Sequence, residues 1–272
     1  MIWPTLHKTI TVPDDARAFF VGDIHGGLDE LNQALHEVGF NKEKDYLFAV
    51  GDLIDRGPKN LQVLALFLYD KTGRYHSVMG NHDAFLANVA TPEYLWYMNG
   101  GKWAADLTDD AREDIARDMC KRMPVFMNVK HRGRDFGLVH GGIPPQFEDR
   151  GVNIRQRDWY EVINGILNTP FPNALDKWYA MEPFMWDRDC IAWAKANIKG
   201  KAVAEFPDVL GVDFTVHGHT PQREPLRYGN RIWLDTEGRK GTFSIMENDD
   251  CLTTVLMTPH GSGEEPKYIK LF

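Results

Sequence analysis

The chain has 272 residues, with 31 lysines and arginines against 39 aspartates and glutamates, and 43% of it is hydrophobic. The formal net charge of −8 argues against a general nucleic-acid binder, which presents a basic face, but not against a phosphate substrate, because bound divalent cations can reverse local electrostatics. No run approaches the roughly 18–20 uninterrupted apolar residues of a membrane span, and residues 1–17 lack an apolar stretch behind a basic start, so no membrane partner and no secretory signal are expected.

The predicted elements begin with a short apolar strand at 17–21 that ends at Gly22, followed by Leu28, Leu31, Leu35 and Val38 at helical spacing with Gly39 as a stop. A second strand at 46–50 closes at Gly51. A helix then runs from about Asn60 to near Gly73, and a third strand at 75–79 closes at Gly80. This β-α-β-α-β alternation predicts a parallel sheet flanked by helices. The middle is less regular, with an amphipathic helix over Asp109–Arg122 stopped by Pro124, then strands at 125–130 and 135–139.

Residues from about 150 to 205 read as a helical or irregular insertion lying beside a site, rich in rings such as Trp159, Tyr160, Phe171, Trp178, Tyr179, Trp186 and Trp193. These rings are expected to pack a small satellite core, with substrate contact as the alternative. Strands return at 213–216, 231–234, 242–246 and 252–257. Without repeats or a low-complexity linker, residues 1–272 read as a single domain. Cys120, Cys190 and Cys251 are odd in number and far apart, which fits reduced thiols in the cytoplasm rather than a disulfide framework. CxxC spacing is absent, so any metal must be held by other residues.

Each of the first three strands ends in a polar loop: Gly22-Asp23-Ile24-His25-Gly26, Gly51-Asp52-Leu53-Ile54-Asp55-Arg56-Gly57, and Gly80-Asn81-His82-Asp83. Ligands of an open α/β sheet collect outside the carboxyl ends of its strands. Asp23, Asp52 and Asn81 recur at one strand-helix unit, which brings them to one rim. His140, in Leu138-Val139-His140-Gly141-Gly142, and His219, in His217-Gly218-His219-Thr220, follow two later strands. Mixed carboxylate, imidazole and amide donors suit manganese, iron or zinc better than magnesium alone. Asp52, on the middle loop, is the best candidate to give one oxygen to each of two ions. His217 shares a strand face with His219, so geometry alone leaves both as candidate ligands. His7, His36, His76, His131 and His260 lack such context and read as surface or packing residues.

The set GDIHG, GDLIDRG, GNHD, HGG and GHT resembles the calcineurin-like metallophosphoesterases. The Arg-Gly after GDLID further resembles their phosphoprotein phosphatase branch, which includes phage and bacterial serine/threonine phosphatases. The resemblance spans about residues 21–236. It implies an α/β fold with a central β-sandwich of mixed sheets flanked by helices, its site at strand-end loops. It further implies two divalent ions, manganese first and iron or zinc as alternatives. Asp23 and His25 would hold the first ion, Asp52 would bridge, and Asn81, His140 and His219 would hold the second. Arg56 and Arg188, in Trp186-Asp187-Arg188, would bind phosphate. His82 would be the general acid and Asp55 would orient it. The motif match favours His219 over His217, and Pro221 stands where many nuclease and cyclic-nucleotide members carry a second histidine, which favours the phosphatase branch.

The implied activity is that of a dinuclear phosphomonoesterase of the serine/threonine phosphatase type, acting on a phosphorylated protein or small phosphorylated substrate. Attack is direct, by a hydroxide shared by the ions, with no phosphoenzyme. The alternative is a symmetrical diadenosine tetraphosphate hydrolase, because the aromatics of the insertion could stack adenine rings.

Overall fold

The computed structural model describes residues 3–88, 91–144, 146–148, 153–201, 206–236, 243–258, 262 and 264–272. Two six-stranded mixed sheets face each other. The first has the order β14 (Lys267–Lys270), β13 (Thr253–Met257), β12 (Phe243–Glu247), β2 (Ala18–Val21), β3 (Tyr46–Ala49) and β4 (Tyr75–Ser77). β2, β3 and β4 are parallel and are linked through α1 (Leu28–Glu37) and α2 (Asn60–Leu68), as the alternation predicts. The parallel pattern stops at β2, whose other edge pairs antiparallel with β12, and β13 and β14 continue antiparallel.

The second sheet has the order β1 (His7–Thr11), β5 (Phe126–His131), β6 (Arg134–Leu138), β9 (Phe214–His217), β11 (Arg231–Trp233) and β10 (Leu226–Tyr228). Its β5–β6 and β11–β10 pairs are antiparallel and the other three are parallel. The parallel sheet expected from the first eighty residues is present as β2, β3 and β4, and the sandwich implied by the family resemblance takes in the later strands. A two-stranded ribbon, β7 (Gln146–Glu148) with β8 (Asn153–Arg155), lies apart from both sheets.

Strand alternation builds two cores from the same segments. In β2, Ala18 and Phe20 enter the layer between the sheets while Phe19 and Val21 face the helices; in β3, Phe48 and Leu47 divide the same way. Phe20 meets Phe136 of the opposite sheet at a centroid distance of 4.7 Å, which ties the two faces together.

The helical side holds α3 (Asn81–Ala87), α4 (Glu93–Met98), a 3₁₀ turn at Gly101–Asp106, and α5 (Asp109–Arg122). The last matches its predicted bounds because its signals agree. Thr108 Oγ1 caps the Ala111 N–H, acids fill the first turn, and Lys121 and Arg122 fill the last. α2 ends at Leu68, five residues earlier than expected, because the Asp70 carboxylate accepts from the Thr72 and Arg74 N–H groups and turns the chain.

The insertion contains α6 (Trp159–Leu167), α7 (Ala174–Trp186) and α8 (Asp189–Ile198). Its rings divide three ways. Trp159 and Trp178 are fully buried in the main helix-side core, Trp193 packs on a satellite cluster around Cys190 and Phe206, and Tyr179 and Trp186 stay exposed. No helix among the described residues is long and apolar enough to cross a membrane.

Candidate metal centre

Five loops deliver the predicted donors. Asp23 and His25 follow β2, Asp52 follows β3, Asn81 opens α3 just beyond β4, His140 follows β6, and His219 follows β9. All six side chains are buried. Five of the seven non-glycine residues with positive φ among the described residues belong to this site: His25, Asp52, Asp55, Arg56 and His219. Strained backbone of this kind costs roughly 1–3 kcal/mol per residue and persists where surrounding structure over-determines it. Here the loops lock on one another. His25 N–H donates to the Asp52 carbonyl at 2.8 Å, and His219 N–H donates to the Asp23 carboxylate at 3.2 Å. A Cβ on Gly80 would meet Asp52 Oδ1 at 2.1 Å, so only glycine lets the third loop approach the second.

The donor atoms converge. Asp52 turns Oδ2 toward His25 Nε2 at 3.6 Å and Oδ1 toward His140 Nε2 at 3.3 Å. Asn81 Oδ1 lies 3.0 Å from His140 Nε2 and 2.7 Å from His219 Nδ1. Asp23 Oδ2 is 4.0 Å from His25 Nε2. Donors each about 2.0–2.2 Å from one ion stand about 3 Å apart along a coordination edge, so these separations suit shared ions.

Tautomers are set from behind. His25 Nδ1 donates to the Ile54 carbonyl at 2.8 Å and His140 Nδ1 to the Val50 carbonyl at 2.7 Å, which turns each Nε2 lone pair into the cluster. His217 is different. Its Nδ1 pairs with the Val139 carbonyl at 3.0 Å and its Nε2 with Thr215 Oγ1 at 2.9 Å, so both nitrogens are committed to the second sheet.

The electrostatics of His25 and His219 suit metal ligation. Burial lowers His25 to about 3, against the pull of Asp52. His219 falls to about 3 mainly through burial, with His140 and Arg188 adding to it. Neutral imidazole is the form a metal requires. Burial would raise the Asp52 carboxyl and lower His140, yet their mutual attraction outweighs it, and Asp52 sits well below the usual range while His140 rises. Asp23, Asp52 and His140 can also be grouped around one point, as can His25, Asp52 and His82.

Around the cluster stand the other predicted residues. Arg56 reaches His25 Nε2 at 2.7 Å through Nη1 and His82 Nε2 at 2.8 Å through Nη2. His82 Nδ1 meets Asp55 Oδ2 at 2.8 Å. His82 therefore donates Nδ1–H to Asp55 and accepts from the Arg56 guanidinium on Nε2. Arg188 lies at the exposed rim, held to Thr220 Oγ1 at 3.2 Å. A groove of about 550 Å³ starts at Asn81 and runs between Phe85, Leu95, Leu175, Tyr179, Glu182 and Trp186. Trp186 and His219 meet edge to face with ring centroids 5.7 Å apart, and Phe85 and His82 do the same at 5.6 Å.

Three neighbours were given no role from the sequence, Asp83 among them although it stands in the third loop motif. Trp96 and Trp103 donate to Asp55, and the signal available for them was a Gly-Gly pair between two tryptophans. Asp83, fully buried, accepts from the Leu53 and Gly80 N–H groups and is raised to about 8 by burial and by Asp52. Its signal was an acid at the third position of α3, where it caps the helix.

Comparison with known proteins agrees with this geometry. Residues 16–223 match the calcineurin-like phosphoesterase family. The chain is 27% identical over 235 residues to serine/threonine-protein phosphatase 1 of Salmonella typhimurium, covering 85% of this chain and 91% of the relative. It is 33% identical over 172 residues to a symmetrical bis(5'-nucleosyl)-tetraphosphatase of Ectopseudomonas mendocina, covering 63% of this chain and 60% of that relative. A protein serine/threonine phosphatase from Saccharomyces cerevisiae shares the fold, with a TM-score of 0.58 at 12% identity over 98% of this chain and 87% of that one. With its six donors converging from five strand ends, the chain belongs to the calcineurin-like phosphoesterase family and is a phosphoesterase.

Proposed function

We propose that the protein is a dinuclear-metal phosphomonoesterase of the serine/threonine protein phosphatase type. The observation that carries this reading is the pairing of His82 Nδ1 with Asp55 beside Arg56, at the edge of the donor cluster. Asp23, His25 and Asp52 would hold one ion, and Asp52, Asn81, His140 and His219 would hold the other. Manganese is the first choice and iron or zinc the alternatives, on the mixture of oxygen and imidazole donors. When bound, the ion pair supplies charge neutralisation and an activated water at neutral pH.

The chain's own residues do the rest. Arg56 and Arg188 bind phosphate oxygens, where a planar guanidinium fork contacts two at once. With phosphate bound, Arg56 turns from His82 Nε2, which accepts from its Nη2 in this structure, and protonated His82 gives the Nε2 proton to the departing oxygen as its bond to phosphorus breaks, while Asp55 keeps hold of Nδ1. The ester substituent leaves toward the groove walled by Tyr179 and Trp186. The reading treats the 272 residues as one domain in which the helical insertion forms one wall of the site. It places the protein in the cytoplasm, on three free thiols, and gives it phosphorylated proteins or small phosphate esters, rather than nucleic acid or membrane, as partners.

A second reading, symmetrical hydrolysis of diadenosine tetraphosphate, is favoured by the groove, whose exposed rings offer adenine a stacking surface. Parallel assays of the manganese-loaded protein on a phosphoserine peptide, p-nitrophenyl phosphate and diadenosine tetraphosphate separate the two. The first reading predicts the highest kcat/KM on the peptide, and a strong preference for the dinucleotide would replace it with the second.

A further inference from the structure

Asp55 is 0% exposed and is surrounded by N–H donors. Besides His82 Nδ1 on Oδ2, Trp103 Nε1 donates to Oδ1 at 2.8 Å, and Trp96 Nε1 straddles both oxygens at 3.0 Å each. An indole N–H donates and cannot accept, so each of these bonds uses the carboxylate as acceptor. Together they fix the plane of the carboxylate, and with it the direction in which Oδ2 faces the imidazole. The two indoles meet edge to face, at 90° and 6.1 Å between centroids, which leaves each ring one way to sit.

The segment bearing them is built around this contact. Its Gly100 carbonyl accepts from the Arg56 N–H at 3.3 Å. A Cβ on Gly101 would strike the Trp96 indole at 2.3 Å, so the chain can pass there only as glycine. From outside, Arg112 of α5 ties the segment down through the Ala104 carbonyl at 3.1 Å, Glu93 at 2.6 Å and the Tyr97 hydroxyl at 3.2 Å. Asp55 and Arg56 both hold left-handed backbone, with φ of 74° and 69°. A loop with two consecutive strained residues keeps its shape only under such outside restraint.

We propose that Trp96 and Trp103 are positioning residues of the proton-donation step, acting through Asp55 to aim His82. The proposal rests on the assignment of His82 as the acid. In the step, a water oxygen bonds to phosphorus as the bond to the leaving oxygen breaks, and that oxygen takes the proton from His82 Nε2. The imidazole ends neutral, still bonded to Asp55 through Nδ1–H, and solvent restores the proton. Losing either indole N–H frees the carboxylate to rotate, and the cost falls on substrates whose leaving group needs that proton.

The test uses the metal-loaded full-length protein carrying Trp96→Phe, Trp103→Phe and both, which keep the rings and remove the N–H donors. Each is compared on a phosphoserine peptide, a poor leaving group, and on 2,4-dinitrophenyl phosphate, whose leaving group needs no proton. The double variant is expected to lose about tenfold more kcat on the peptide than on the dinitrophenyl ester. Equal losses on both substrates would overturn the positioning role. His82→Asn run alongside separates the two claims. If it shows no leaving-group dependence, the acid assignment fails; if it does and the tryptophan variants do not, the positioning proposal fails. A readout free of turnover and of the tryptophan variants' folding is the pair of indole N–H signals in ¹⁵N-labelled protein. Both should shift on Asp55→Asn, and signals that stay in place overturn the contact.

Discussion

The carboxylate of Asp52 meets His140 through one oxygen, with Oδ1 3.3 Å from Nε2, and leaves Oδ2 free to face His25. In the proposed dinuclear centre, a carboxylate turned in two directions would serve both ions. Asp52→Asn replaces one oxygen with an amide that donates hydrogen bonds instead of binding metal. It is expected to bind fewer than two manganese ions per chain and to lose nearly all turnover, as read by elemental analysis with phosphate release. Retention of two ions would remove Asp52 from the bridging position.

His82 lies beside the cluster with its Nδ1 on Asp55. His82→Asn should lower kcat by about 10²–10⁴ on a phosphoserine peptide, with KM and metal content close to those of the parent, because proton donation acts in the transition state. Steady-state kinetics together with metal analysis checks this. A fully active variant would dismiss the acid role, and a metal-depleted one would recast His82 as a ligand.

Acid should unfold the metal-free protein through its buried imidazoles. Burial lowers fully buried His217 from 6.5 to about 3, and partial burial with nearby Lys8 lowers half-buried His76 to about 4. The folded state therefore binds fewer protons than the unfolded chain between these values and 6.5, so stability is full above pH 6.5 and falls as the pH drops through that window. Between pH 7 and pH 5 the contribution of His217 falls by on the order of 2 kcal/mol. Urea unfolding at pH 7, 6 and 5 measures the slope, which His217→Asn should reduce. The same slope in the variant would exclude His217 as a source.

Tyr179 is 56% exposed on the wall of the groove that begins at Asn81. Stacking on a ring is worth about 1–3 kcal/mol per base, so Tyr179→Ala should raise KM for diadenosine tetraphosphate by roughly tenfold or more. A small ester such as glycerol phosphate should be nearly unaffected. Equal changes for both would take the groove out of substrate binding.

The sequence was most legible where local signals and the global fold agree. β2, β3 and their crossover helices follow from apolar runs closed by glycine, and the strand-end loops follow from the same breaks. The antiparallel half of the first sheet was not legible as pairing, because β12 reaches β2 across more than 200 residues and alternation fixes which face a strand buries, not its neighbour. The choice between His217 and His219 was open to geometry for a similar reason. What separates them is that Val139 and Thr215 occupy both nitrogens of His217, and neither partner can be read from spacing. Trp96 and Trp103 were missed because they act on Asp55 from a segment with no regular period.

The most direct test of the account is manganese titration of metal-free protein, with bound ions counted by elemental analysis while phosphate release from p-nitrophenyl phosphate is followed. The account predicts no turnover without metal and a rise that reaches its plateau at two ions per chain. Full turnover in the presence of excess chelator, or a plateau reached at one ion, would contradict it.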